Sequence, residues 1–299
     1  MDSARRDGAT RTARRVLVAL ATLAAGLALH VPTASAATAP HGQLRQVHAA
    51  AGPAVASAAG RGTQSSLADT IATYLRGRSG ATTVAVRDNV SGKSFTVHGS
   101  QRHYCASIVK LDILQTLLRQ RHGALTSSQR ALAAKMIQKS DNAAASALWR
   151  QIGGGTGLAA YNRAAGLQHT TPGRGGYWGL TVTSASDQRR LVALVSTHNT
   201  VLADSSRRYL TGLMTHVVSS QRWGVSAGVP STATVALKNG WLPVHSNYRD
   251  WQVNSIGFVR GQGRSYDIVV LSRHNPSQRY GIATAEKISA VVWTHAARS

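Results

Sequence analysis

The stretch from Ser107 to Gln120 has almost no polar face. Ile108, Val109, Leu111, Ile113, Leu114, Leu117 and Leu118 spread around the helical turn instead of lining one stripe of it. A helix apolar on nearly every side has to be enclosed by other elements, not laid on a surface. The chain must therefore build a jacket around this segment, which Gly123 is placed to end.

The flanking patterns supply that jacket. Leu67–Leu75 reads as a short amphipathic helix. Thr82–Val86 and Ser94–Val97 read as strands joined through the turn Asn89–Gly92. Helical spacing recurs over Ser127–Gln138, Ala143–Gln151, Leu158–Ala164, Ser186–Thr197 and Ser205–Met214, and Gly153-Gly154-Gly155 reads as a helix terminator. Strand patterns return at Thr234–Leu237, Gln252–Val259 and Tyr266–Leu271, and a closing helix covers Gly281–Trp293. This order predicts an α/β (α+β) fold. An antiparallel sheet, assembled from both ends of the domain and flanked by helices, carries an inserted all-helical lobe at about residues 107–204. A chain of 299 residues with 43% hydrophobic content has the material for one such core.

The N-terminus reads as an export signal. Arg5, Arg6, Arg11, Arg14 and Arg15 precede the apolar stretch Val16–Leu29, and Ala34-Ser35-Ala36 offers a cleavage site. That stretch is short for a membrane span. The paired arginines also fit a twin-arginine route. Residues 1–36 are read as signal peptide, 37–65 as a flexible Ala/Gly/Ser-rich leader, and 66–299 as the folded domain; the expected location is secreted or extracytoplasmic. The net charge is +23, from 34 basic and 11 acidic residues. The signal region holds only five of the arginines, so the excess belongs to the mature protein. It reads as a solvated basic surface, with anionic cell-wall polymers as the partner it suits. No nucleic-acid motif accompanies it, and a monomer is expected. The single cysteine, Cys105, excludes an intramolecular disulfide. It reads as a small buried residue, with a redox-sensitive thiol as the alternative. The twelve histidines show no metal-ligand spacing, so neither metal nor cofactor is expected.

Three short segments carry the chemistry. Ser107 and Lys110 lie three residues apart at the start of the buried helix, so they share a face. A buried amine near other cations is pushed toward its neutral form and can take a hydroxyl proton. None of the other five lysines has a serine at that spacing. Ser107 also lies at a helix start, where backbone N–H groups stabilise an oxyanion. The second segment is Ser140-Asp141-Asn142, the third Lys238-Asn239-Gly240-Trp241 at a strand end. Structural alternatives stand beside each: a cap at Ser107, a turn at 140–142, and a strand-end lysine before a turn at 238.

Together these segments resemble the S-x-x-K, S-D-N and K-T-G motifs of class A β-lactamases and penicillin-binding proteins. The run from Ser140 to Ala145 leading to Ile152-Gly153-Gly154, and Leu180–Ala185 after the Ω-loop position, are similar to that family as well. The resemblance covers residues 66–299 and implies a β-lactamase/transpeptidase-like serine hydrolase. By it, Ser107 is the nucleophile, Lys110 the base and Ser140 the proton relay. Asn142 and Lys238 bind substrate, with Asn239, Gly240 and the Trp241 N–H completing the site. The substrate is a small molecule or peptide bearing a carboxylate, such as a β-lactam or a D-alanyl peptide.

The chain departs from that family in three places. Asn239 stands where the family has Thr or Ser. The interval between Ser107 and Ser140 is short, which implies a lost loop and a more open cleft. The Ω-loop glutamate is missing: the one Glu is Glu286, and no acid lies between Asp141 and Asp187. The loop 168–179 holds His169, Arg174, Tyr177 and Trp178 instead, with His169 or Tyr177 as substitutes for that base. A missing base costs about 10²–10⁴-fold in rate, so acylation with impaired deacylation is expected. Active class A turnover and a non-catalytic wall-binding relative are the alternatives. Trp241, Trp251, Tyr248 and Arg249 surround the third motif, and Arg222 and Arg249 are candidate helpers for an anion.

Overall fold

A computed structural model describes residues 61–244 and 250–297. The export signal, nearly all of the leader, Tyr248 and Arg249 lie outside the described residues.

Helix α1 (Arg61–Arg76) begins inside the stretch read as leader. It leads to the hairpin β1 (Ala81–Asp88) and β2 (Ser94–Val97), then to a two-residue strand β3 (His103–Tyr104). The lobe follows as α2 (Val109–Gln120), α3 (Ser127–Gln138), α4 (Asn142–Gln151), α5 (Gly154–Ala165), β4 (Val182–Thr183), α6 (Ala185–Ser196) and α7 (Asp204–Thr215). Strands β5 (Thr234–Pro243), β6 (Trp251–Gly261) and β7 (Arg264–Asn275) and helix α8 (Gln278–His295) close the chain. The sheet order is β2-β1-β7-β6-β5 with every pair antiparallel, so N-terminal β1 is locked against C-terminal β7 from Ala81↔Arg273 to Asp88↔Tyr266. Strands β3 and β4 form a separate ribbon.

Both faces of the sheet are covered. Ile268 and Val270 of β7 point to one core with Leu67, Ile71 and Ile288, from α1 and α8. Val269 and Leu271 point to the other, with Leu111, Leu114 and Leu117 of α2 and Met136 and Leu148 beyond it. A strand buried on both sides shows no polar alternation, as in the run Ile268-Val269-Val270-Leu271 of β7.

Helix α2 is buried throughout from Val109 to Leu118. Its polar residues find partners inside: Gln115 Nε2 donates to Leu191 O at 2.9 Å, Gln115 Oε1 accepts from Tyr161 at 2.6 Å, and Thr116 donates to Asp112 O at 2.8 Å. Buried polar groups are tolerated on those terms. The helix starts later than its pattern suggests. Ser107 lies in a 3₁₀ turn, Ala106–Ile108, entered through Ala106 at φ +49°, and α2 proper begins at Val109. The glycine triplet divides its work. Gly153 (φ +85°) ends α4, while Gly154 and Gly155 open α5 and do not stop anything. No helix among the described residues is long and apolar enough to cross a membrane.

Candidate active site

The 3₁₀ turn presents Ser107, partly exposed, above Lys110, which is wholly buried. One helical turn separates them, and Lys110 Nζ donates to Ser107 Oγ at 2.9 Å. The same amine reaches Ser140 Oγ (3.1 Å), Ser140 O (2.6 Å) and Asn142 Oδ1 (2.7 Å). Ser140 is offered by the turn between α3 and α4, where it adopts φ +58°. Asp141 caps α4 by accepting from Ala144 N at 2.6 Å, which turns Asn142 toward the lysine.

From the other side, β5 delivers Lys238. Its Nζ donates to Ser140 Oγ at 3.0 Å and to Asn239 O at 2.7 Å. The Ser140 hydroxyl thus bridges two buried amines. Among the described residues, neither amine has a carboxylate partner; the ion pairs at Asp204 and Asp250 lie elsewhere. Burial lowers Lys110 to about 8, with Asp141 acting the other way. Burial, and then the Lys110 charge, push Lys238 well below the ordinary lysine value. An ammonium taken from water without a counter-charge shifts toward neutrality. At a value of about 8 the charged form still predominates at neutral pH, and the neutral fraction, which grows as pH rises, is the amine able to accept a proton.

Gly240 lets β5 touch the 3₁₀ turn. A Cβ there would fall 2.6 Å from Ser107 N, 2.7 Å from Ile108 N and 2.9 Å from Cys105 O. No other residue type fits without moving backbone. Trp241 follows on this edge strand, half-buried, with its ring 5.9 Å from that of Trp223.

Asn239 departs from the expectation. Its side chain is fully buried, and its amide donates to Gln221 O (2.7 Å) and Trp223 O (3.1 Å). Both amide protons tie the 221–223 segment to β5, so the side chain is not a ligand in the cleft. Arg222, between the two residues whose carbonyls accept, is exposed. Cys105 is fully buried, and burial holds its thiol well above the usual value. A thiol so held is a poor nucleophile and a poor redox sensor.

Two residues of the site carried no sequence signal of their own. Asn254 of β6 donates to Tyr104 O (2.8 Å) and Cys105 O (3.1 Å), anchoring the backbone that leads into Ser107. Only its polarity within an apolar strand run marks it. Trp178 lays its ring 4.9 Å from Lys110 Nζ and donates from Nε1 to Ser146 Oγ at 3.1 Å. His169 and Tyr177, the substitute bases considered from sequence, are both exposed, and no hydrogen bond joins either side chain to Ser107 or Lys110. No cluster of metal-binding side chains occurs among the described residues.

Known proteins share this architecture. A class A beta-lactamase from Bacteroides cellulosilyticus superposes with a TM-score of 0.69 at 17% identity, covering 78% of this chain and 98% of that one. A class A beta-lactamase from Mycobacterium abscessus gives 0.66 at 20% identity over 76% and 98%. A mutant of PBP-A, solved as an acyl-enzyme complex with penicillin G, gives 0.66 at 21% identity over 77% and 96%. In sequence, a protein named "Putative lipoprotein LppW", from Mycobacterium tuberculosis and Mycobacterium bovis, is 31% identical over 206 residues, 64% of this chain. The chain spans 63% of the length of that relative. Residues 120–296 match the family described as the beta-lactamase enzyme family. That match begins past Ser107 and Lys110, and these are joined to it by the contacts above. Fold, motif order and family match agree: the chain belongs to the beta-lactamase enzyme family.

Proposed function

We propose that the protein is an extracytoplasmic acyl-transfer serine hydrolase acting on amides or esters that bear a carboxylate, through an acyl-enzyme on Ser107. One observation carries the reading: two buried lysines share the hydroxyl of Ser140, and no carboxylate among the described residues pairs with either. Such an arrangement is poorly suited to a purely structural role, because buried unpaired charge is costly. It is well suited to an anionic ligand and to a serine that must lose its proton.

In the proposed reaction Ser107 Oγ attacks the substrate carbonyl carbon while its proton passes to neutral Lys110. The negative charge on the carbonyl oxygen is met by N–H groups of the 3₁₀ turn and of the β5 edge at Trp241, which the close backbone approach at Gly240 brings side by side. The proton moves through Ser140 Oγ to the leaving nitrogen, the C–N bond breaks, and an ester on Ser107 remains. Asn142 holds a substrate amide and Lys238 the carboxylate. Hydrolysis of the ester is slow, because the segment between Asp141 and Asp187 supplies no carboxylate to activate water. All five polar side chains being present and in contact weighs against a vestigial site.

The export-signal pattern of residues 1–36 and the lipoprotein name of the relative support an extracytoplasmic location. The basic excess supports attraction to anionic wall polymers. Of the acids in the lobe, Asp112 and Asp187 are buried, while Arg119, Arg121, Arg130, Lys135, Lys139, Arg150 and Arg163 are exposed.

The test is intact-mass measurement after incubation with penicillin G. A persistent adduct, absent in Ser107→Ala, is expected. Rapid product release without a lasting adduct points to ordinary β-lactamase turnover and contradicts slow deacylation. No adduct with penicillin or with D-alanyl esters contradicts the acyl-enzyme itself.

A further inference from the structure

Release of an acyl group from Ser107 by hydrolysis needs water at the ester carbon: water's oxygen attacks, the carbon–Oγ bond breaks, and a proton returns to Oγ. Space for that water must exist next to Ser107 and the amine of Lys110. Three sides of the amine are occupied by Ser107 Oγ, both oxygens of Ser140, and Asn142 Oδ1. The indole of Trp178 closes another, and Lys110 is left with no exposure at all.

The indole is fixed there. Its N–H donates to Ser146 Oγ, one helical turn beyond Asn142 on α4. Its backbone forms a single 3₁₀ turn, Trp178–Leu180, that lies directly against the nucleophile's own approach: Cys105 N donates to Thr181 O at 2.8 Å. The segment before it is drawn in just as tightly. Thr171 and Val182 exchange two backbone hydrogen bonds (2.8 and 2.9 Å), and Gly173 packs so closely that a Cβ would fall 2.1 Å from Tyr177 O. An indole anchored through its N–H, on a segment whose backbone is pinned on both sides, acts as a wall.

We propose that Trp178 controls the fate of the acyl-enzyme: its indole excludes hydrolytic water from the Ser107–Lys110 side of the cleft and so prolongs the ester. This rests on the acyl-enzyme reading above. It adds a physical barrier to the missing base, since water that cannot approach cannot react whatever base is near.

The experiment preloads the full protein with penicillin G, removes excess reagent, and follows loss of the adduct by intact mass. Wild type, Trp178→Ala, Trp178→Phe and Ser146→Ala are compared. Trp178→Ala is expected to release its acyl group about tenfold faster or more, as expected when a dry site is opened. Trp178→Phe keeps the ring and is expected to release more slowly than Trp178→Ala. Ser146→Ala frees the indole without removing it and is expected to release faster than wild type; it also serves if Trp178→Ala does not fold. Equal or slower release from Trp178→Ala and Ser146→Ala overturns the proposal while leaving the acyl-enzyme intact. Failure of wild type to acquire any adduct overturns the acyl-enzyme reading instead, so the two failures are distinct.

Discussion

The hydroxyl of Ser140 is the junction of the site, because it is the one group that both buried amines touch. Its position has a conformational cost, paid in the left-handed backbone at φ +58°. If neutral Lys110 is the base, the acylation rate rises with pH and levels off above about 8, where the amine has lost its proton. Stopped acylation assays from pH 6 to 10 check this; a rate flat across that range contradicts it, and Lys110→Ala is expected to lower the plateau by about 10²–10⁴-fold. Lys238 is a buried amine with which no carboxylate among the described residues pairs, so replacing it should separate stability from activity. Lys238→Met is expected to leave the thermal midpoint unchanged or raised, while weakening acylation by carboxylate-bearing substrates by about tenfold or more. A lower midpoint in Lys238→Met contradicts the picture of an unpaired charge. Asn239 behaves oppositely. Asn239→Ala strands the carbonyls of Gln221 and Trp223 and is expected to cost about 1–3 kcal/mol in urea unfolding.

At the scale of elements, α2 is the pillar against which lobe and sheet both pack. Leu114 is fully buried in that core, and Leu114→Ala is expected to destabilise by about 2–5 kcal/mol in equilibrium unfolding. A loss under about 1 kcal/mol contradicts its place at the centre of the packing. Such elements were legible in the sequence because burial writes itself into local pattern. The helices and the sheet strands fall within a few residues of their periodic segments. What escaped was whatever depends on distant partners. Strands β3 and β4 are two residues each and exist only because they pair with one another. Ser107 enters a 3₁₀ turn, not a helix start, because β5 at Gly240 and Asn254 of β6 hold its backbone from outside. Asn239 was read as a cleft residue from its place in a motif, yet the loop at 221–223, distant in sequence, captures its amide. Trp178 reads as one of several loop aromatics until α4 places Ser146 under its indole.

At the scale of the whole molecule, the sheet pairs β1 with β7 across the lobe between them, and the lobe supplies half of the site. Ser107, Lys110, Ser140 and Asn142 come from the lobe and Lys238 and Gly240 from the sheet, so the cleft is assembled only when both are docked. The order of motifs along the chain was readable; their proximity depends on the fold, which puts the side chains of Ser107, Lys110, Ser140, Asn142 and Lys238 in contact. In the proposed reaction this convergence makes Ser107, and no other group, the acceptor of the acyl unit. Its most direct test is peptide mapping of the protein after reaction with penicillin G. The added mass is expected on the peptide containing Ser107 and is expected to be lost in Ser107→Ala; an added mass on any other residue, or one that survives in Ser107→Ala, contradicts an acyl-enzyme on Ser107.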